Sequence, residues 1–182
     1  QGMKIVRMSQ KEENVIGYAG SDALIPFYQD EIEWNNWNGK EKRVINFTQS
    51  LLGRRRECHY DSIMQTMNGF PALIYGNGNT DLGALDGGEL PYELMKGALR
   101  DNRVFVYGGT WPSPYTLAIQ EAMMTGIPVV AIGPKLANEV MGDSDRWDYY
   151  EIPSIISNGH NGFWSDNINE LRDYITKLME DE

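Results

Sequence analysis

From Arg43 onward, short apolar runs alternate with helix-patterned segments, and this alternation is the strongest constraint on what the chain can fold into. RVINFT at 43–48 reads as a buried strand, followed by a polar loop at 49–57. CHYDSIMQTMNG at 58–69 reads as a helix stopped by Asn68-Gly69. PALIYG at 71–76 is a second strand closed by a turn-rich stretch, and LGAL at 82–85 a short third one. A helix at 89–101 and a strand at 103–109 follow, then a helix at 113–126 with Gly126 at its C′ position and Pro128 beyond. A strand at 127–133, a helix at 134–142 with Pro134 in its first turn and a last helix near 167–179 complete the series. Strands separated by helices of 10–15 residues predict an α/β fold, a doubly wound parallel sheet covered on both faces. Ligands of such sheets sit beyond the carboxyl ends of the strands. The loops 49–57, 76–81, 108–116 and 133–135 all fall on that edge.

The 182 residues suffice for one domain with a substantial core. No apolar run approaches the ~20 residues that span a bilayer. QGMKIVRMSQKEENV is too polar for a secretory signal, and a cytoplasmic setting is expected. A single cysteine, Cys58, excludes an internal disulfide and a thiolate metal cluster. The net charge of −10 argues against a nucleic-acid partner. Against it stand Arg54, Arg55 and Arg56, three adjacent cations among sixteen. Gln1 and Gly2 read as the residue of a tag, and 1–42 as irregular chain. Trp34 and Trp37 are expected to pack on the domain body.

The densest chemistry lies at 108–133. A strand ends in Gly108-Gly109, a proline-rich loop follows, and a helix opens near Tyr115-Thr116. The first amides of a helix have no internal partner and face the positive end of its dipole, so an anion is stabilised there without a charged side chain. Glu121, one to two turns in, can reach hydroxyls of a ligand whose phosphates sit at that terminus. A sugar or ribose joined to phosphate fits both features. A tight loop with a solvated Glu121 is the bland alternative.

The stretch from Ser113 to Ala131, SPYTLAIQEAMMTGIPVVA, resembles the signature of family 4 retaining glycosyltransferases, E-P-F-G-L-T-L-L-E-A-M-A-x-G-x-P-V-V-A. Ile152 to Phe163 is similar to the family's I-P-E-I-V-x-x-G-x-N-G-L. Leu24-Ile25-Pro26 and Leu73-Ile74-Tyr75-Gly76-Asn77-Gly78 resemble its V-I-P and V-I-V-G-D-G segments. These matches, in order, span about residues 23 to 179. The resemblance implies a Rossmann-like domain, the C-terminal half of a GT-B fold. Residues 23–182 would hold a nucleoside diphosphate sugar, and 1–22 would end the linker from a missing N-terminal acceptor domain.

By position, the resemblance puts the family's ribose-holding second glutamate on Glu121 and its first, sugar-contacting glutamate on Ser113. Its phosphate-neutralising Arg and Lys fall on Ser50 and Arg55, with Arg54 and Arg56 as further cations. Gly76, Asn77, Gly109, Pro114, Tyr115 and Thr116 complete the implied donor site. Retaining, metal-independent transfer without a cofactor is implied, with no activity from the isolated half. A non-catalytic nucleotide-sugar-binding module and a UDP-sugar epimerase of the same fold remain alternatives, as does an unrelated doubly wound protein. Asp143-Ser144-Asp145 has a metal-holding D-x-D form but reads as a solvated turn. His59 and His160 match no metal spacing, with His160 in a turn, and Gly76-Asn77-Gly78 lacks the third glycine of a dinucleotide fingerprint. Met123 and Met124 are expected in the core.

Overall fold

A computed structural model describes residues 2–15, 17–139 and 148–181 of the chain. Two short strands near the start, β1 (Val6–Arg7) and β2 (Ala23–Leu24), pair in parallel apart from the main sheet. The main sheet has six strands: β3 (Glu41–Phe47), β4 (Ala72–Tyr75), β5 (Asp86–Gly88), β6 (Asn102–Tyr107), β7 (Val129–Ile132) and β8 (Phe163–Ser165). Their order is β5-β4-β3-β6-β7-β8, every neighbouring pair parallel, which is the Rossmann order.

Helices α1 (Tyr60–Met67) and α5 (Ile168–Glu180) pack together, α5 lying along β6, β7 and β8. Helices α2 (Tyr92–Asp101) and α3 (Leu117–Thr125) pack together as a second pair. Right-handed crossovers put α1, between β3 and β4, on the face opposite α2 and α3, because the chain moves one way from β3 to β5 and the other from β5 through β6 to β8. Burial on both sides explains the unbroken apolar runs of the central strands. All four residues of β7 are buried, as are Val44, Ile45, Val104, Phe105 and Val106. The reversal between β3 and β6 is the topological switch point, where the edge of the sheet opens into a crevice.

The expected α/β sheet is therefore present, with differences at its margins. LGAL at 82–85 is no strand: Thr80–Leu85 forms a 3₁₀ turn kinked at Gly83, and the third strand is the next three residues. A side chain at Gly87 would meet the Tyr75 ring 2.5 Å away, so this strand carries no apolar pattern. The sixth strand, β8, is too short to stand out. Helix α1 begins at Tyr60 rather than Cys58 because His59 adopts a left-handed φ of 54°, which a right-handed helix excludes. Helix α3 begins at Leu117 rather than Ser113: Ser113 precedes a proline and is driven from helical angles, and Thr116 is still extended, at φ −123° and ψ 164°. It ends at Gly126, as expected. Helix α4 (Pro134–Asn138) is described only in part of its expected span, and Asp143-Ser144-Asp145 lies outside the described residues.

Trp34 is fully buried and stacks edge-on to Tyr92, 5.5 Å between ring centroids, while half-buried Trp37 donates its indole N–H to the Asn102 carbonyl. The segment from 25 to 38 thus packs across α2 and α3. Met124 departs from expectation: its position on α3 is exposed, while Met123 packs against the core. His160 sits exposed in a turn, as expected. Among the described residues no helix is long and apolar enough to cross a membrane.

Candidate functional site at the switch point

Two loops leave the carboxyl ends of β3 and β4 and are tied together by one side chain. Buried Asn79 accepts the Leu51 amide at 2.9 Å and donates to the carbonyls of Thr48 and Gly76, at 2.7 and 3.0 Å. Ser50 donates its amide to the Asn77 carbonyl. Gly76, at φ 140°, passes so close to Thr48 that an added Cβ would stand 2.6 Å from its carbonyl oxygen. Gly76 and Asn77 therefore border a slot of about 200 Å³ walled by Phe47, Tyr75 and Met95.

After β6 the chain turns through Gly108 and Gly109 into the loop that opens α3. The Trp111 amide donates to the Glu57 carbonyl at 2.7 Å, joining this loop to the arginine loop. Tyr107, whose phenol is pushed up to about 12 by burial, accepts the Thr116 amide at 2.9 Å. Tyr115 is buried and donates its hydroxyl to the Met8 carbonyl. No side chain caps α3, and no acidic residue occupies its first turn. Helix α4 differs: the Asp166 carboxylate accepts the Lys135 amide at 2.7 Å and fills that terminus. Of the other helices that start on this edge, α1 and α2 carry Asp61 and Glu93 in their first turns, so the α3 terminus differs from those of α1, α2 and α4 in having neither a capping side chain nor an acid.

Glu121 is buried on α3 and accepts a 3.0 Å hydrogen bond from Gln29, whose own side-chain oxygen accepts the Trp34 indole N–H. Burial pushes its carboxyl up to about 6. Ser113, Pro114 and Thr116 line a cavity of about 580 Å³ beside the α3 terminus, together with Trp111 and with Met8, Glu12, Val15, Gly17 and Tyr18.

The arginines are all exposed. Arg55 forks onto Asp61, its Nε donating at 2.9 Å, and lies over the Tyr60 ring. Arg55 and Arg56 border a third cavity, of about 240 Å³, with His59. The structure brings the loops that carry the predicted residues to one edge of the sheet. It divides seven of them among three cavities rather than gathering them in one, and Arg54, Gly109, Tyr115 and Glu121 line none of these three.

Three features escape sequence reasoning. His59 is buried with both ring nitrogens unpartnered, and desolvation lowers it to about 4. Asn79 looks like an ordinary turn residue in GNGNTD. Burial also raises the Cys58 thiol, which makes it a protonated packing group.

No family model matches the chain, and no curated protein matches it. Solved structures share its fold. Anabaena Alr3699/HepE in complex with UDP and glucose is 17% identical with a TM-score of 0.66, the match covering 98% of this chain and 54% of that one. The same protein in complex with UDP-glucose gives 0.62 at 17% identity, covering 97% and 54%. TarM gives 0.60 at 16% identity, covering 97% and 36%. The chain thus spans between about a third and just over half of the length of these proteins.

Proposed function

We propose that this chain is the donor half of a glycosyltransferase and binds a nucleoside diphosphate sugar at the switch point. The observation that carries the reading is the uncapped, acid-free first turn of α3, set where β3 and β6 diverge. A diphosphate there meets backbone amides and a helix dipole, with the arginine loop hydrogen-bonded alongside. The slot by Gly76 and Asn77 has the aromatic and thioether walls that take a flat base. The cavity at Ser113 offers room for the sugar. Glu121 holds ribose hydroxyls once Gln29 yields its place. The fold likeness to HepE, seen with UDP and with UDP-glucose, supports the same ligand class here.

Transfer would proceed with retention and without metal. Negative charge grows on the departing diphosphate, and a guanidinium with a helix terminus stabilises it more in the transition state than in the ground state. Arg55 must leave Asp61 to take that role, and Arg54 and Arg56 stand beside it in the loop. A second domain supplies the acceptor site, so this chain alone transfers no sugar. Ser113 favours one rival, a binding module without turnover, because a hydroxyl balances no positive charge on the sugar.

Thermal unfolding with UDP, GDP, ADP and CMP in excess chelator tests the reading. A ligand at a hundredfold its Kd stabilises by about 2.7 kcal/mol, or roughly 5–10 °C for a domain of this size. One nucleoside diphosphate should give that shift, and Glu121→Ala should abolish it. No shift with any of the four at millimolar concentration refutes the proposal.

A further inference from the structure

The segment before residue 23 is expected to be a linker remnant, yet it forms one wall of the 580 Å³ cavity. It is held to the domain body at several points. Ser9 donates to the Glu151 carboxylate, Lys11 pairs with Asp148 at 2.6 Å, and Asn14 donates to the Asp148 carbonyl at 2.7 Å. Tyr115 reaches across to the Met8 carbonyl at 3.0 Å. These partners lie more than a hundred residues away in the chain, so the wall is built by tertiary contacts.

Within that wall Glu12 presents the one carboxylate that lines the cavity among the described residues. Its Oε1 accepts the amides of Met8 and Ser9, at 2.7 and 3.1 Å, completing a capping box with Ser9. The side chain is thereby fixed, and Oε2 is left to accept from a ligand. The cavity is also lined by the hydroxyl-bearing Ser113 and Thr116 and by two aromatic residues, Trp111 from the loop before α3 and Tyr18 from the same segment as Glu12. Aromatic faces that stack on C–H surfaces, beside an ionised acceptor for paired hydroxyls, are the chemistry that recognises a neutral hexose. Thr116 is also the N-cap residue of α3, so a group attached to a phosphate at that terminus falls beside this cavity.

We infer that Glu12 is a specificity-determining residue for the hexose of the donor, supplying from the N-terminal segment the carboxylate that position 113 lacks. This inference rests on the proposed donor site. Glu12 accepts two sugar hydroxyls through Oε2, while Oε1 keeps its hold on the backbone. Sugars with an adjacent pair of free hydroxyls on the Glu12 side are selected over those with one methylated.

The discriminating variant is Glu12→Gln, because an amide oxygen still accepts from Met8 and Ser9 while the charge is lost. Calorimetry with UDP and with UDP-glucose, UDP-galactose and UDP-N-acetylglucosamine compares it with the unaltered chain. UDP should bind both within about twofold, and the preferred UDP-hexose should bind the variant about tenfold more weakly. Adding Ser113→Glu to the Glu12→Gln chain returns a carboxylate to the same cavity and should recover most of that loss. Equal binding of every UDP-hexose to both proteins overturns the inference while leaving the nucleotide site standing.

If none of UDP, GDP, ADP and CMP binds, the donor reading fails, and methyl hexosides then carry the test alone. Followed by the Trp111 indole N–H resonance, at least one of the glucoside, galactoside and N-acetylglucosaminide should shift it in the unaltered chain and not in Glu12→Gln. No shift with any of them, or the same shift in both proteins, overturns the role of Glu12.

Discussion

Glu121 is buried with its carboxyl raised to about 6 from an ordinary 4.5, so ionising it works against the folded state. Between these two values the folded chain binds more protons than the unfolded one. The stabilisation is complete below about 4.5 and is lost as pH rises through about 6. The difference corresponds to roughly 2 kcal/mol. Glu121→Gln keeps an oxygen to accept from Gln29 and removes the charge. At pH 7.5 the variant should be the more stable protein by about 2 kcal/mol, or about 4–8 °C in Tm. At pH 4 the two should unfold together. His59 titrates in the same region, but it is common to both proteins and cancels in their difference. The same substitution should weaken UDP-glucose about tenfold at pH 7.5, because a charged acceptor for the ribose is gone. A more stable chain that binds its ligand less well is the signature of a group kept for function. Paired thermal unfolding across pH 4–8, with calorimetry at pH 7.5, provides the assay. A variant equally or less stable at pH 7.5, or an advantage that persists at pH 4, refutes this account of Glu121.

Other perturbations test other parts. His59 is lowered to about 4 by burial, so it costs stability as pH falls from about 6.5 toward 4; His59→Asn, which tolerates the left-handed backbone, should flatten that acid limb in Tm against pH. Asn79→Ala strands the Leu51 amide and frees the Thr48 and Gly76 carbonyls, which should cost about 2–4 kcal/mol in denaturant unfolding. Gly87→Ala drives a methyl group against the Tyr75 ring and should cost about 1–3 kcal/mol, read the same way.

The central strands were legible because burial on both faces demands unbroken apolar runs, and RVINFT, RVFVYGG and IPVVAIG show them. β5 was hidden because close approach to Tyr75 selects glycine at 87 and a φ of 74° favours it at 88, and glycines leave no hydropathy signal. The anion-ready start of α3 could be placed within a few residues, since Gly108-Gly109 and the prolines mark the strand-to-helix junction. What it lacks, a capping side chain, depended on where the helix begins, and the extended Thr116 puts that start at Leu117. The cover over Glu121 is contributed by Gln29, 92 residues earlier, and the wall holding Glu12 is pinned by Glu151, 142 residues from Ser9. Contacts of that range have no periodicity or motif to announce them. His59 looks in the sequence like any helical residue, and only its left-handed angle and unpartnered ring nitrogens set it apart.

The central claim is that a diphosphate sits on the first turn of α3, and amide chemical-shift mapping with UDP in excess chelator tests it most directly. The account predicts the largest shifts at Gly108, Gly109, Leu117 and Ala118, with a second group at Gly76 and Asn77. Shifts that leave the start of α3 unmoved, or that gather instead at the opposite edge near Gly126 and Gly162, would contradict it.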